Sequence, residues 1–264
     1  MAIQALVFDV DGTLADTERD GHRPAFNAAF AQAGLSWHWH AEEYRELLAV
    51  AGGKERIRHF CEQYDPDFLA RPDADELIAA LHADKTRRYV AFAAAGRIGL
   101  RPGVARLVMQ ARAAGTRLAI ATTTNPENVT ALLDACFGPG ATSWFEVIGA
   151  GDVVPRKKPA PDIYTWVLER LDLGPEECLA IEDSAVGLRA AVAAGLPTVV
   201  TQNPYTMSDD TTGALAVLSD LSTVTLADLS TLHDTVHPGS QERPGTHAVR
   251  SRAWTSPTAT PTSA

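Results

Sequence analysis

Two acids spaced by one residue close an apolar run near the start of the chain. The stretch "ALVFDVDGTLADTE" places Asp9 and Asp11 after residues rich in Leu, Val and Phe. A buried carboxylate costs free energy unless it is paired or bound to a metal, so the pair points to a cation and a task. A solvated strand end that caps a helix is the plainer alternative, and "DGT" would serve it without Asp9. Further along, "RLAIATTT" ends in Thr122 and Thr123, "CLAIEDS" ends in Glu182 and Asp183, and "RKKPAPDIY" sets Lys158 before a proline. Four acids, hydroxyls and a lysine match what phosphoryl transfer needs. A phosphate ester is dianionic and repels a carboxylate, so hard oxygen ligands must hold Mg²⁺ between them while a lysine offsets the remaining charge. Asp9 would attack phosphorus to give an aspartyl phosphate; Asp11 would protonate the leaving oxygen and later take a proton from water. Thr122 Oγ and the Thr123 N–H would hold a phosphoryl oxygen near the start of the next helix. Asp9, Asp11, Glu182 and Asp183 are the candidate metal ligands.

For these residues to meet, they must sit at the carboxyl ends of neighbouring parallel strands, where open α/β sheets bind ligands. The run from Ile3 to Val10 reads as a strand buried on both faces. Strands "RLAIAT", "FEVIGA", "CLAIED" and "PTVVT" then alternate with helices "NPENVTALLDACFG", "APDIYTWVLERL" and "AVGLRAAVAAG". A further helix, in "LRPGVARLVMQARAAG", has Pro102 near its start and Gly115 past its end. Right-handed crossovers then predict an α/β fold, a Rossmann-like parallel sheet with helices on both faces. Between Thr17 and Gly96 the pattern is helical and holds no convincing strand, as in "AEEYRELLAV", "GKERIRHFCEQY" and "ADELIAALHADKTRRYVAFAAA". The expected organisation is an α/β core of residues 1–16 and 97–235, an inserted α-helical cap of residues 17–96, and a tail of residues 236–264. That tail is rich in Pro, Ser and Thr and is expected to be disordered.

The chain has 264 residues and a formal net charge of −10. Its pI near 5.2 argues against general affinity for nucleic acid or an anionic membrane. Cys61, Cys136 and Cys178 are few and widely spaced, which suggests neither a disulfide framework nor a structural zinc site. No basic leader and no long apolar run are present, so a cytoplasmic protein is expected. Two stretches of the cap region could meet a substrate. Glu18 and His22, four apart, could reach sugar hydroxyls; a satisfied surface pair fits the spacing equally well. "GGKER" fails as a nucleotide P-loop because Leu48 and Glu55 stand where Gly and Ser or Thr are required. It reads instead as a Gly52-Gly53 turn opening a helix whose start, with Lys54 and Arg56, can cradle a second anionic group. An exposed basic turn is the alternative.

The four motifs "DVDGT", "ATTT", "KKPAPDIY" and "IEDS", in that order over about Ile3 to Thr201, resemble the haloacid dehalogenase-like hydrolase superfamily. The resemblance selects Lys158 over Lys157, because the family lysine directly precedes "PxPDIY". Asp11 argues for phosphate chemistry, since the dehalogenases lack the second acid. A helical insertion after the first motif resembles the branch containing phosphoglycolate phosphatases and β-phosphoglucomutase. "LADTE", "FNAAF" and "EEYRELLAVAGGKERI" look closest to the CbbY-type phosphatases of carbon-fixation operons. That resemblance implies a Mg²⁺-dependent phosphatase of the Calvin cycle acting on xylulose 1,5-bisphosphate, with Glu18, Tyr44, Arg45, Gly53, Lys54 and Arg56 on the substrate side. The segment after Glu18, "RDGH", is a residue longer than the family pattern. A phosphosugar mutase or a phosphoglycolate phosphatase would use the same Asp9, and a non-catalytic phosphosugar sensor is the reading outside enzymes. A phosphorylated sugar is the expected partner, without nucleic acid or membrane, on a monomeric chain.

Overall fold

The computed structural model describes residues 3–50 and 52–236. Strand β1 (Ala5–Phe8) is followed by a helical block of α1 (Arg23–Gln32), α2 (Ala41–Leu47), α3 (Gly53–Tyr64), α4 (Pro66–Leu69) and α5 (Ala74–Ala94). This block has an apolar cluster of its own, centred on Phe26, Phe30, Trp39, Tyr44, Ile57 and Phe60. Trp39 packs between Phe26 and Phe30, with ring centroids 4.7 and 4.8 Å apart. Residues Ile78, Leu81, Lys85 and Tyr89, spaced by three or four, form part of the buried face of α5. A lysine in that apolar stripe is the exception that matters below.

The remaining chain alternates strand and helix: α6 (Val104–Ala114), β2 (Arg117–Ala121), α7 (Pro126–Phe137), β3 (Val147–Gly149), α8 (Asp162–Leu171), β4 (Cys178–Glu182), α9 (Ala185–Ala193), β5 (Thr198–Thr201), β6 (Ala216–Leu218) and α10 (Leu226–Val236). The six strands form one parallel sheet in the order β3-β2-β1-β4-β5-β6. Side chains alternate between two apolar layers. Leu6, Phe8, Ile120 and Ile181 enter one; Ala5, Val7, Ala119 and Ala180 enter the other. Both faces are covered, which is why these strands read as unbroken apolar runs. The pairing of Phe8 with both Ile120 and Ile181 aligns the ends of β1, β2 and β4. Asp9 is therefore level with Ala121 and Glu182, and Thr122 and Asp183 follow one residue later.

Pro102 stands near the start of α6, as expected, in the turn before Val104 where Gly103 adopts a left-handed φ of +84°. One expectation is corrected: the strand expected over Ile3 to Val10 is shorter, Ala5–Phe8. Neither β6 nor α10 is apparent from the sequence pattern: β6 is a three-residue edge strand whose Val217 faces solvent. The expected tail lies outside the described residues, apart from Val236, which closes α10. Among the described residues no helix is long and apolar enough to cross a membrane.

Candidate active site

At the tip of β1 the Asp9 N–H donates to Ile181 O at 3.0 Å, which fixes the Asp9 carboxylate between β2 and β4. Buried Lys158 donates to Asp9 Oδ1 (2.7 Å), Glu182 Oε1 (2.6 Å) and Ala121 O (2.8 Å). All three ammonium donors are thereby used. Glu182 also accepts from the Tyr164 hydroxyl, and Asp183 accepts from Asn203 Nδ2 at 2.7 Å. Carboxylate oxygens of Asp9, Glu182 and Asp183 lie within 4.8 Å of one another. Gly187, in the first turn of α9, permits this: a Cβ there would sit 2.0 Å from Glu182 Oε2.

One lysine among three buried carboxylates leaves negative charge uncompensated. Burial pushes Asp9 up to about 8; Lys158 pulls against it, while Glu182 and Asp11 add to the rise. Asp183 is raised by burial, Asp9 and Glu182. Burial opposes the charge on Lys158, but Asp9 and Glu182 outweigh it and raise its pKa. An all-oxygen, anionic and buried donor set of this kind fits a hard divalent cation such as Mg²⁺. Of the four acids read from the sequence, Asp9, Glu182 and Asp183 bring their carboxylates together. The Asp11 carboxylate turns away, toward the helical block.

Asp11 Oδ1 accepts from Thr17 Oγ1 and pairs with His22 Nε2, each at 2.7 Å. His22 Nδ1 lies 2.7 Å from Lys85 Nζ. A lysine ammonium only donates, so Nδ1 accepts and the ring proton on Nε2 faces Asp11. Tyr89 stacks on the imidazole at 4.3 Å and holds it in place. Burial pushes Asp11 upward, but the charge and hydrogen bond of His22, with Thr17 and Lys85, hold it at about 2. Lys85 is pushed down to about 8 by burial, against Asp11 and Glu18. The segment "RDGH" lies in a π-turn over Glu18–His22, in which the Arg23 N–H bonds to Glu18 O.

Apart from Thr122, Tyr44 and Arg45, every candidate residue lines one cleft between sheet edge and helical block. Thr122 is buried at the end of β2, its Oγ1 accepting from the Thr124 N–H at 3.3 Å; Thr123, Thr124 and Asn128 line the cleft. Tyr44 is wholly buried and donates to Glu18. Arg45 is the next residue on α2 and so projects about 100° away, to the surface. Arg56 lines the cleft, yet its donors go to Leu47 O (3.2 Å), Tyr44 Oη (2.8 Å) and Val50 O (3.3 Å). It holds the loop before Gly52 more than it offers an open fork. The accessible cations at this end are Lys54 and Lys157. Lys157 Nζ pairs with Glu55 (3.0 Å) and Asp152 (3.2 Å), and Lys54 is 3.9 Å from Asp152.

The sequence reading passed over Thr17, Lys85, Tyr164, Asn203 and Lys157. Tyr164 stood inside the "PDIY" motif, and Lys85 was visible as a cation on an apolar helix face. Asn203 carried no comparable signal.

With this geometry in place, comparison with known proteins decides the family. The haloacid dehalogenase-like hydrolase profile matches residues 3–195. The chain belongs to that family. It is 54% identical over 219 residues to Protein CbbY, plasmid, of Cupriavidus necator, covering 83% of this chain and 86% of that protein. A crystal structure of a CbbY mutant from Rhodobacter sphaeroides, in complex with xylulose-(1,5)bisphosphate, superposes with a TM-score of 0.80. It is 49% identical and covers 86% of this chain and 99% of that one. A β-phosphoglucomutase from Clostridium difficile shares the fold, with a TM-score of 0.72 at 18% identity, covering 89% of this chain and 99% of its own. As a haloacid dehalogenase-like hydrolase of the CbbY branch, the chain is a phosphatase. Members of the family generally use Mg²⁺, and Asp9, Glu182 and Asp183 could hold it.

Proposed function

We propose that the chain is a Mg²⁺-dependent phosphatase that converts xylulose 1,5-bisphosphate to xylulose 5-phosphate through an aspartyl phosphate on Asp9. One observation carries this reading: a relative 49% identical has been crystallised with that bisphosphate. The cleft is consistent with it. Lys158 contacts Asp9, and Lys54 and Lys157 also line the cleft, so one phosphate can react while a second is anchored.

The steps follow from the residues. A carboxylate oxygen of Asp9 attacks phosphorus, the bond to the ester oxygen breaks, and that oxygen takes a proton from Asp11. Asp11 is ionised at rest, so it must first gain a proton; His22 Nε2–H, 2.7 Å away, can pass one as the Lys85 ammonium, 2.7 Å from Nδ1, gives its own proton to the ring. Water then attacks the phosphorus of the aspartyl phosphate while Asp11 accepts its proton, which releases phosphate and restores Asp9. Thr123 and Thr124 flank the phosphoryl group at the start of α7. Mg²⁺, when bound by Asp9, Glu182 and Asp183, supplies positive charge to the phosphoryl oxygens. Closure of the helical block over the cleft would keep bulk water from the intermediate.

The test is Mg²⁺-dependent phosphate release, as kcat/KM, from xylulose 1,5-bisphosphate, ribulose 1,5-bisphosphate, phosphoglycolate and β-glucose 1-phosphate. A preference for xylulose 1,5-bisphosphate of at least about 100-fold is expected, equivalent to some 2.7 kcal/mol of transition-state discrimination. A flat profile, or preference for phosphoglycolate, would overturn the substrate assignment.

A further inference from the structure

The chain passes between the sheet and the helical block twice, once after Asp11 and once on the way back to α6. The two connections meet at an antiparallel bridge between Ala15 and Leu100, and the Arg101 N–H donates to Leu14 O at 2.9 Å. Beyond that point the Arg101 side chain turns inward and is buried. Its Nη1 donates to Gly12 O (2.5 Å), Thr201 O (2.7 Å) and Thr201 Oγ1 (3.0 Å). Its Nη2 donates to Gln202 O (2.6 Å) and Ser219 O (3.0 Å), while Nε faces Asp16 Oδ1 at 3.6 Å. One guanidinium thus ties the turn after Asp11 to the carboxyl ends of β5 and β6.

Gly12 is where this clamp meets the chemistry. It follows Asp11 directly and holds a φ of +82°, and a Cβ there would lie 2.4 Å from Asp183 Oδ2 and 2.7 Å from Asn203 Nδ2. Gly12 O also accepts from Asn203 Nδ2 at 3.3 Å, and the same amide donates to Asp183 at 2.7 Å. Both lone pairs of the carbonyl are used, and Arg101 makes the shorter bond. Asp11 is therefore fixed twice: its carboxylate by Thr17 and His22, and the peptide that follows it by Arg101. Arg101 is not among the residues that line the cleft, so its influence on the reaction passes through the main chain. A lysine is a poor replacement. Five oxygen acceptors face the two terminal nitrogens of Arg101, whereas an ammonium offers three donors on one atom.

We propose that Arg101 is a positioning residue for proton transfer by Asp11: by holding Gly12 O against the ends of β5 and β6, it sets where the Asp11 carboxylate stands relative to Asp9. This role rests on Asp11 being the group that protonates the leaving oxygen. A catalytic group displaced by about 1 Å costs about 10²-fold in rate, so a loosened turn shows in the step that needs the proton. An ester whose leaving group departs as a stable anion needs no such proton and is indifferent to the displacement.

Leaving-group dependence, measured on the full chain in saturating Mg²⁺, tests this. The probes are the alkyl ester turned over best among the four named above, whose leaving alkoxide must be protonated, and acetyl phosphate and p-nitrophenyl phosphate, whose acetate and nitrophenolate leave as anions. The kcat/KM of each reports phosphorylation of Asp9. Arg101→Met should lower it at least about 30-fold for the alkyl ester and less than about threefold for the other two, with Asp11→Asn showing the same selectivity. Arg101→Lys keeps the charge and three donors, so it should show that selectivity with a smaller loss, and it keeps the test readable if the methionine variant fails to fold. A loss equal for all three probes in either Arg101 variant while Asp11→Asn stays selective, or an unchanged alkyl-ester rate in Arg101→Lys, would overturn the proposal alone. An equal loss for all three in Asp11→Asn would instead overturn the reading of Asp11, and the role of Arg101 with it.

Discussion

Replacing Lys158 with Met should expose how the catalytic cluster is balanced. The Lys158 side chain is 5% exposed and lies 2.7 Å from Asp9 and 2.6 Å from Glu182. Methionine fills similar space but removes the only ammonium in contact with those carboxylates among the described residues. Breaking a buried ion pair by deleting one partner costs about 3–5 kcal/mol, because the remaining charge stays desolvated. Three carboxylates remain here, so the loss should lie in that range when metal is chelated and the pH is above about 8, where Asp9 is ionised. Mg²⁺ binds the folded cluster and should restore about 2.7 kcal/mol at a concentration 100-fold above its dissociation constant. Urea unfolding of both proteins, in EDTA and in saturating Mg²⁺, measures each quantity. Turnover should fall by about 10²–10³ in either case, since the charge facing the phosphoryl group is gone. A loss below about 1 kcal/mol in EDTA, or one that Mg²⁺ leaves unchanged, would refute the view that Lys158 and the cation share the neutralisation of one acidic cluster.

Other consequences concern pH, packing and charge. The folded state holds Asp9 protonated up to about 8 while the unfolded chain releases that proton near 3.8, so the folded state binds more protons in that window. Metal-free wild type should therefore lose stability as pH rises through it, measured against Asp9→Asn, at up to about 1.4 kcal/mol per pH unit. Saturating Mg²⁺ should flatten the difference; a rise with pH would count against the burial argument. Gly187→Ala should displace Glu182 and weaken Mg²⁺ about 10- to 100-fold by activity titration, with unchanged affinity as the contrary result. Lys157→Met removes a cation whose partners Glu55 and Asp152 are themselves 46% and 69% exposed. Its effect should be modest, a two- to fivefold rise in KM for the bisphosphate with kcat unchanged and a shallower salt dependence. An equal rise for a monophosphate would remove Lys157 from the distal anchor.

The catalytic motifs were legible because each is a local conflict with the fold around it. An acid at the tip of an apolar strand has no stabilising reason to be there, and Asp9 and Glu182 announce themselves in that way. The covered sheet was legible for a similar reason, since continuous apolar runs leave few other homes for such strands. The elements that escaped notice, β6 and α10, lack this contrast. Both segments mix polar and apolar residues, β6 as the edge strand of the sheet and α10 on the outside of α6, where one side meets water.

Motifs and periodicity, residues of the chain itself, determined which strands end in chemistry and that a helical block follows the first of them. Tertiary structure alone decided how charge is shared among those residues. His22 and Thr17 claim the Asp11 carboxylate, and His22 is oriented by Lys85 from 63 positions away. Arg45 sits in the right motif, yet the turn of the helix carries it to the surface. Apolar pattern is set by neighbours in sequence, whose faces repeat with the local geometry. Pairing of buried charges is set by distances across the fold, and a few ångströms decide which partner each carboxylate keeps.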